Sequence, residues 1–278
     1  MNIHSDLLAD GHTAIIGIIN VTPDSFSDGG EFLDADSAIE HGIHLEQEGA
    51  DILDVGAEST RPGAKPVSAA EEVRRLEPVV RGLAEYTNAW ISVDTTKSTV
   101  ARKMLDAGAH IINDISALQF DKSMAEVVSA YGCPVVLMHI QGTPRTMQQN
   151  PTYDDVIEDI LQYFTERVTY ARDKGIEPDQ IILDPGIGFG KTLEHNYRII
   201  NEIARFTELE YPVLLGASRK SFIGQTLDLP VEERLEGSLA VAVLGARAGV
   251  RLLRVHDVKE TVRAVRMVDA IQNRLKAE

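Results

Sequence analysis

Asp94, Asn113 and Asp184 share a setting that chemistry can use. Each closes a short apolar run (90–93, 111–112 and 181–183) in a separate part of the sequence. A carboxylate accepts two N–H bonds side by side, and a carboxamide both donates and accepts. Two of the first and one of the second therefore suit the edge of a flat nitrogen heterocycle. Such a site rejects analogues that lack the matching bonds, because its own polar groups would be left buried and unpaired. Taken singly, each residue has a plainer reading. Asp94-Thr95-Thr96, for example, can cap a helix that starts near Lys97. Three such endings together favour one shared site.

A second group of residues suits an anion. Ser59-Thr60-Arg61-Pro62-Gly63 supplies a hydroxyl and a guanidinium in one loop, and Arg254 and His256 flank Val255 at a late strand. Two Arg, a His and a Thr brought to one place would hold phosphate groups. Asn20 opens the loop Asn20-Val21-Thr22-Pro23-Asp24-Ser25-Phe26-Ser27-Asp28-Gly29-Gly30, and its amide oxygen suits Mg²⁺, which keeps waters and shares phosphate oxygens. The histidines show no zinc spacing, and His41 and His44 read as part of a solvated helix. Gly186-Ile187-Gly188-Phe189-Gly190-Lys191-Thr192 invites comparison with a nucleotide P-loop. The pattern needs a glycine where Pro185 stands, and a dinucleotide fingerprint needs one where Lys191 stands. What survives is a flexible loop that turns Asp184 and Phe189 toward a ligand.

These residues must be positioned by regular elements. Apolar runs also end at Asn20, Asp54, His139, Gly216-Ala217-Ser218-Arg219-Lys220 and Arg254-Val255-His256. Between the runs lie stretches of helical spacing at 35–48, 96–107, 123–130, 193–206 and 232–248. Three apolar helix faces stand out: Val73, Leu76, Val79, Val80 and Leu83, with Glu71, Glu72, Arg74 and Arg75 opposite; Ile157, Ile160, Leu161, Phe164 and Val168; and Val258, Val262, Val265 and Val268. Strand and helix alternate roughly every 35 residues, as in a parallel sheet with helical crossovers, and the runs are apolar throughout, as in strands covered on both faces. Eight such units close a single-domain (β/α)₈ TIM barrel, an α/β fold whose site lies at the C-terminal ends of the strands. Loops 21–33, 56–68 and 141–153 would rim that mouth. The turns at Gly49-Ala50 and Gly108-Ala109 read as helix ends, not as repeats.

The chain has 278 residues, a length suited to one such barrel, with 44% hydrophobic and 25% charged residues. A net charge of -16 argues against a nucleic-acid surface but leaves room for an anionic small molecule at a local basic cluster. Cys133 is the single cysteine, so it reads as inert packing in a reducing compartment. Residues 1–12 lack the pattern of a signal peptide, and no apolar run approaches the roughly 20 residues of a membrane span. The expected setting is the cytoplasm, with no nucleic-acid or membrane partner.

Several motifs, taken in order, resemble dihydropteroate synthase, a family of pterin-binding barrels. They are the Asn20–Gly30 segment above, Glu58-Ser59-Thr60-Arg61-Pro62-Gly63, Asp184-Pro185-Gly186-Ile187-Gly188-Phe189-Gly190-Lys191, Gly216-Ala217-Ser218-Arg219-Lys220-Ser221 and Arg254-Val255-His256-Asp257. The resemblance runs from Gly17 to the last helix. Ala57 departs from it, where many members have a second glycine, which should stiffen that loop slightly.

The resemblance implies an enzyme that joins (7,8-dihydropterin-6-yl)methyl diphosphate to p-aminobenzoate, releasing pyrophosphate, in folate biosynthesis. It implies that Asp94, Asn113, Asp184 and Lys220 hold the pterin, with Arg254 stacked on its face and Val255 beside it. Thr60, Arg61, Arg254 and His256 would meet the diphosphate, and Asn20 the Mg²⁺. Ser218, Phe189, Pro62 and Phe26 would shape a p-aminobenzoate pocket in which sulfonamides compete. Arg61, Lys220, Arg254 and His256 would be the catalytic set, and the enzyme a homodimer. Small residues Gly237, Ala240, Ala242, Gly245 and Ala246 permit close helix packing, either between copies or within the barrel. Two other readings remain: a related pterin-binding methyltransferase, and a pterin-binding paralogue without synthase activity. Arg61→Ala should lower turnover far more than it lowers the thermal midpoint; a midpoint that collapses along with activity would make Arg61 structural.

Overall fold

The computed structural model describes residues 3, 7–8, 12–21, 31–60, 63–64 and 66–275. Its elements alternate as β1 (Ala14–Asn20), α1 (Glu31–Glu48), β2 (Ile52–Gly56), α2 (Ala69–Tyr86), β3 (Trp90–Asp94) and α3 (Ser98–Ala107). They continue through β4 (Ile111–Asp114), α4 (Met124–Tyr131), β5 (Val135–Met138), α5 (Val156–Asp173), β6 (Ile181–Asp184), α6 (Leu193–Asn201) and α7 (Ala204–Thr207). The last are β7 (Leu214–Leu215), α8 (Ser221–Leu227), α9 (Leu235–Arg247), β8 (Leu252–Val255) and α10 (Val258–Leu275). The strands are parallel neighbours in the order β6-β5-β4-β3-β2-β1-β8-β7. A bridge between Leu183 and Val213 joins the two end strands, supported by Leu183 N–H donating to the Pro212 carbonyl at 2.9 Å. This is the expected (β/α)₈ barrel.

Side chains two residues apart on a strand share a face, and the barrel uses this period to place its chemistry. Ala14, Ile16, Ile52, Ile111, Val136, Ile182, Leu214 and Leu252 fill the barrel with Ile3 and Leu8 as one buried cluster. The intervening residues, such as Leu53, Ile91, Ile112, Leu183, Leu253 and Val255, pack outward with the helices. Two positions beyond Ile52, Ile111, Ile182 and Leu252, the inward face carries Asp54, Asn113, Asp184 and Arg254. The strands are therefore not apolar throughout: their inner face turns from apolar to polar toward the mouth.

Several boundaries differ from the sequence reading for local reasons. Thr95 Oγ1 accepts from the Lys97 N–H at 3.2 Å, and α3 begins at Ser98. The stretch 193–206 is two helices, and α8 was not foreseen. Gly108 ends α3 at a left-handed φ of 113°, the expected helix exit. The small residues of α9 pack within the chain: a Cβ on Gly237 would lie 2.4 Å from Ile223, and one on Gly245 2.8 Å from Leu215. The α2 face of Leu76, Val79, Val80 and Leu83 is buried as read, but so is Glu72, which the helical pattern placed on the solvent side.

The loop after β6 crosses the end of β5 so closely that only glycine fits. A Cβ on Gly186, whose φ is 69°, would meet the His139 carbonyl oxygen at 2.0 Å. Gly63 has a φ of 81°, but among the described residues a Cβ there would meet nothing within 4 Å. Gly63→Ala should cost about 1 kcal/mol, the left-handed penalty alone, and Gly186→Ala at least about 3 kcal/mol because a backbone atom cannot yield. Urea midpoints of the two variants check this; equal losses would remove the crossing constraint.

Candidate active site

The mouth is organised around a carboxylate with no solvent exposure. Asp54, on β2, accepts from Arg254 Nε at 2.6 Å, from Ser92 Oγ at 2.5 Å and from Asn113 Nδ2 at 3.3 Å. Arg254 also reaches Asp94, with Nη2 3.4 Å from Oδ2. Strands β2, β3, β4 and β8 are thus linked side chain to side chain across the barrel. In the sequence Asp54 was visible as the end of a run, but it received no role. Its signal was the inward register, two residues past Ile52.

Across the mouth, Asp184 accepts from the Gly186 N–H at 2.7 Å, so the loop backbone fixes the carboxylate's direction. A Cβ on Gly216 would lie 3.9 Å from Asp184 Oδ2 and 3.8 Å from Arg254 Cβ, which places these two side chains around one point. Lys220 Nζ donates to the Ile187 carbonyl and sits 4.7 Å from the centre of the Phe189 ring. Burial lowers the Lys220 ammonium to about 8, against the pull of Asp184. Burial likewise raises Asp184, opposed by Lys220, and raises Asp94 to about 7, opposed by Arg254 and reinforced by Asp54. The structure therefore gathers Asp94, Asn113, Asp184, Lys220 and Arg254 at one end of the barrel, with Phe189 beside them.

The remaining candidates fall around this centre. His256 Nδ1 is 3.0 Å from Ser218 Oγ, which also accepts the His256 N–H at 3.2 Å, so these two act as one unit. Thr60 and Asp94 line a cavity of about 290 Å³ together with Ile115, Phe120 and Arg145. Asn20 is exposed at the end of β1. The side chain of Val255 does not reach the mouth: it is 5% exposed and packs outward, because its neighbours Arg254 and His256 take the other face. Phe26, Arg61 and Pro62 lie outside the described residues.

The glycine loop is no phosphate cradle. The Gly186 N–H is taken by Asp184 and the Gly188 N–H by Asn196 Oδ1 at 2.7 Å. Lys191, which the sequence reading left without a role, is buried and holds the His139 carbonyl at 3.3 Å, His139 Nδ1 at 2.9 Å and the Phe189 carbonyl at 3.0 Å. It pins the β6 loop to the end of β5. Cys133 is buried, and burial raises its thiol to about 12, as inert packing requires.

A parallel barrel whose strand ends present two carboxylates, a carboxamide, a lysine and an arginine around one point defines an enzyme that reads a polar flat ring. Residues 16–256 match the pterin binding enzyme family. The chain is 49% identical over 259 residues to dihydropteroate synthase of Escherichia coli (strain K12), covering 93% of this chain and 92% of that protein. It is 48% identical to the Clostridium beijerinckii synthase, covering 94% and 95%. The solved Yersinia pestis dihydropteroate synthase with a sulfonamide drug superposes with a TM-score of 0.90 at 45% identity, covering 94% of this chain and 95% of that one. That of Xanthomonas albilineans with 4-aminobenzoic acid gives 0.89 at 43%, covering 94% and 93%. The chain belongs to the pterin-binding enzymes. Its activity is that of a dihydropteroate synthase, a transferase of folate biosynthesis.

Asp94 gives the site a pH signature. Its folded value near 7 lies above the ordinary 3.8, so the native state holds the proton longer than the unfolded chain does. Stability from this group is full below pH 3.8 and is lost as pH rises through 7. The stability difference between wild type and Asp94→Asn, read from denaturant midpoints, should shift against wild type over this range and level off above it. A constant difference would place Asp94 in an ordinary environment.

Proposed function

We propose that the pterin ring lies on the inward polar layer, edge-on to Asp94, Asn113 and Asp184. Lys220 donates to its ring acceptors and the planar guanidinium of Arg254 lies against its face. The observation that carries this reading is the Asp54 network, which draws Arg254 and Asn113 to one side of the mouth while Gly216 brings Asp184 alongside. Thr60, Arg61, Arg254 and His256 meet the diphosphate. Ser218, Phe189, Pro62 and Phe26 shape the p-aminobenzoate pocket, and the solved relative with 4-aminobenzoic acid supports p-aminobenzoate as a ligand.

In the reaction, the bond between the pterin methylene carbon and the diphosphate oxygen breaks, and the aniline nitrogen bonds to that carbon and loses a proton. Charge that develops on the methylene spreads into the pterin, where Asp94 and Asp184 stabilise it electrostatically. Cationic side chains stabilise the departing diphosphate. No covalent nucleophile is needed, because an aniline nitrogen is already nucleophilic and alignment of the two substrates supplies much of the acceleration.

Asn20 fits a Mg²⁺ ion: its exposed carboxamide stands at the mouth end of β1. Among the described residues there is no cluster of three His, Cys, Asp or Glu that could enclose a metal. Such an ion would be held by one protein oxygen plus waters and diphosphate oxygens, and would offset the charge of the leaving group. Exposed Leu244, Met267 and Ile271, on the mutually packed helices α9 and α10, support a homodimer. A cytoplasmic setting is consistent with the single buried thiol, and no described helix is long and apolar enough to cross a membrane.

Asp184→Asn replaces an acceptor with a donor and should abolish binding of the pterin diphosphate while leaving the thermal midpoint within a few degrees. Calorimetric titration checks it, and unchanged affinity would remove Asp184 from the pterin contact. Pyrophosphate release on mixing the two substrates separates this activity from pterin-dependent methyl transfer.

A further inference from the structure

Outside the pterin layer, a second charged cluster ties the loop after β2 to the barrel. Lys97, just before α3, bonds to Glu58 Oε2, and its Nζ lies 2.5 Å from Glu72 Oε2. Glu58 uses its other oxygen to accept the Val67 N–H at 3.2 Å, so a single side chain holds both stems of the loop. Arg75 reinforces the first stem by donating to the Ala57 carbonyl at 3.2 Å. Glu72 has no solvent exposure, and its Oε1 makes no hydrogen bond among the described residues. A carboxylate placed there is costly unless a cation holds it, so the position of Lys97 is fixed from below by Glu72. Glu58, about a quarter exposed, is the part that reports this fixed point to the loop.

Glu58, Thr60, Glu72 and Asp94 all line the same cavity, and Thr60 lies two residues beyond Glu58 on the loop. We propose that Glu58 and Lys97 are positioning residues for the synthase reaction: anchored on buried Glu72, they clasp the loop after β2 so that Thr60 faces the diphosphate. This rests on the assignment of Thr60 to the diphosphate. Burial works against the charge on Lys97, but the two carboxylates prevail and raise its pKa, so the clasp stays charged at neutral pH.

The test uses the full chain and three substitutions, two of them also combined in a double variant. Lys97→Met would leave two carboxylates facing each other and risks unfolding, so Glu58→Ala is the decisive variant: it releases Val67 and the loop's bond to Lys97 but keeps the Lys97–Glu72 pair. Expected results are a fall in kcat of tenfold or more and a thermal midpoint within a few degrees of wild type. Affinity for (7,8-dihydropterin-6-yl)methanol, which has no diphosphate, should stay within twofold by calorimetry. Thr60→Val should also lower kcat, Glu58→Ala/Thr60→Val should be no slower than the slower single variant, and Lys97→Arg should retain most of the activity. Unchanged kcat in Glu58→Ala, multiplicative losses in the double variant, or equal loss of affinity for the methanol would each overturn the clasp. An unimpaired Thr60→Val would overturn the clasp together with the assignment of Thr60, and a wild type that releases no pyrophosphate would overturn the synthase reading itself.

Discussion

Asp54 and Arg254 meet at 2.6 Å inside the barrel, with the carboxylate entirely removed from water. Taking a charge into such a place costs several kcal/mol and is offset only when further hydrogen bonds complete the pair. Here Ser92 on β3 and Asn113 on β4 supply them. The requirement to satisfy Asp54 therefore dictates where Arg254 and Asn113 point. Arg254, so held, brings its positive charge to Asp94, Asp184 and Lys220. The chemistry of the mouth is the outer surface of this buried arrangement.

The barrel supplies what the pair needs. Its lower interior is sealed by Ile16, Ile52, Ile111, Val136, Ile182, Leu214 and Leu252. The same strand faces turn polar one layer higher, at their C-terminal ends. Burial then sets the charges: it raises Asp94 and Asp184 and lowers Lys220, so the acids and the base sit nearer neutrality than in water. Buried Lys191, whose ammonium burial lowers despite Asp184, and the Gly186 crossing hold the β6 loop as a fixed wall. A site with these fixed dipoles and charges needs little reorganisation when charge moves during the reaction.

Much of this was legible in the residues. Short apolar runs ending in Asp94, Asn113 and Asp184 announced strands with functional C-terminal ends, and the Gly-Ala exits announced the helices between them. What stayed hidden depended on contacts between distant segments. Asp54 looked like one more strand end until register put it inside the barrel beside Arg254, 200 residues away. Glu72 looked solvated because helical spacing records only its own helix, whereas Lys97 on another segment buries it. Val255 entered the site with its neighbours, though alternation along β8 turns it outward. Lys191 was quoted as part of a glycine loop, and its role appeared only once that loop was seen crossing β5.

The control proposed for Asp54, which touches solvent nowhere, runs to the proposed pterin site through Arg254 and Asn113. Its most direct test is calorimetric titration of (7,8-dihydropterin-6-yl)methanol into Asp54→Asn and wild type, with folding of the variant verified by circular dichroism. The expected result is a folded variant whose affinity falls more than tenfold. A folded variant that binds as tightly as wild type would contradict it.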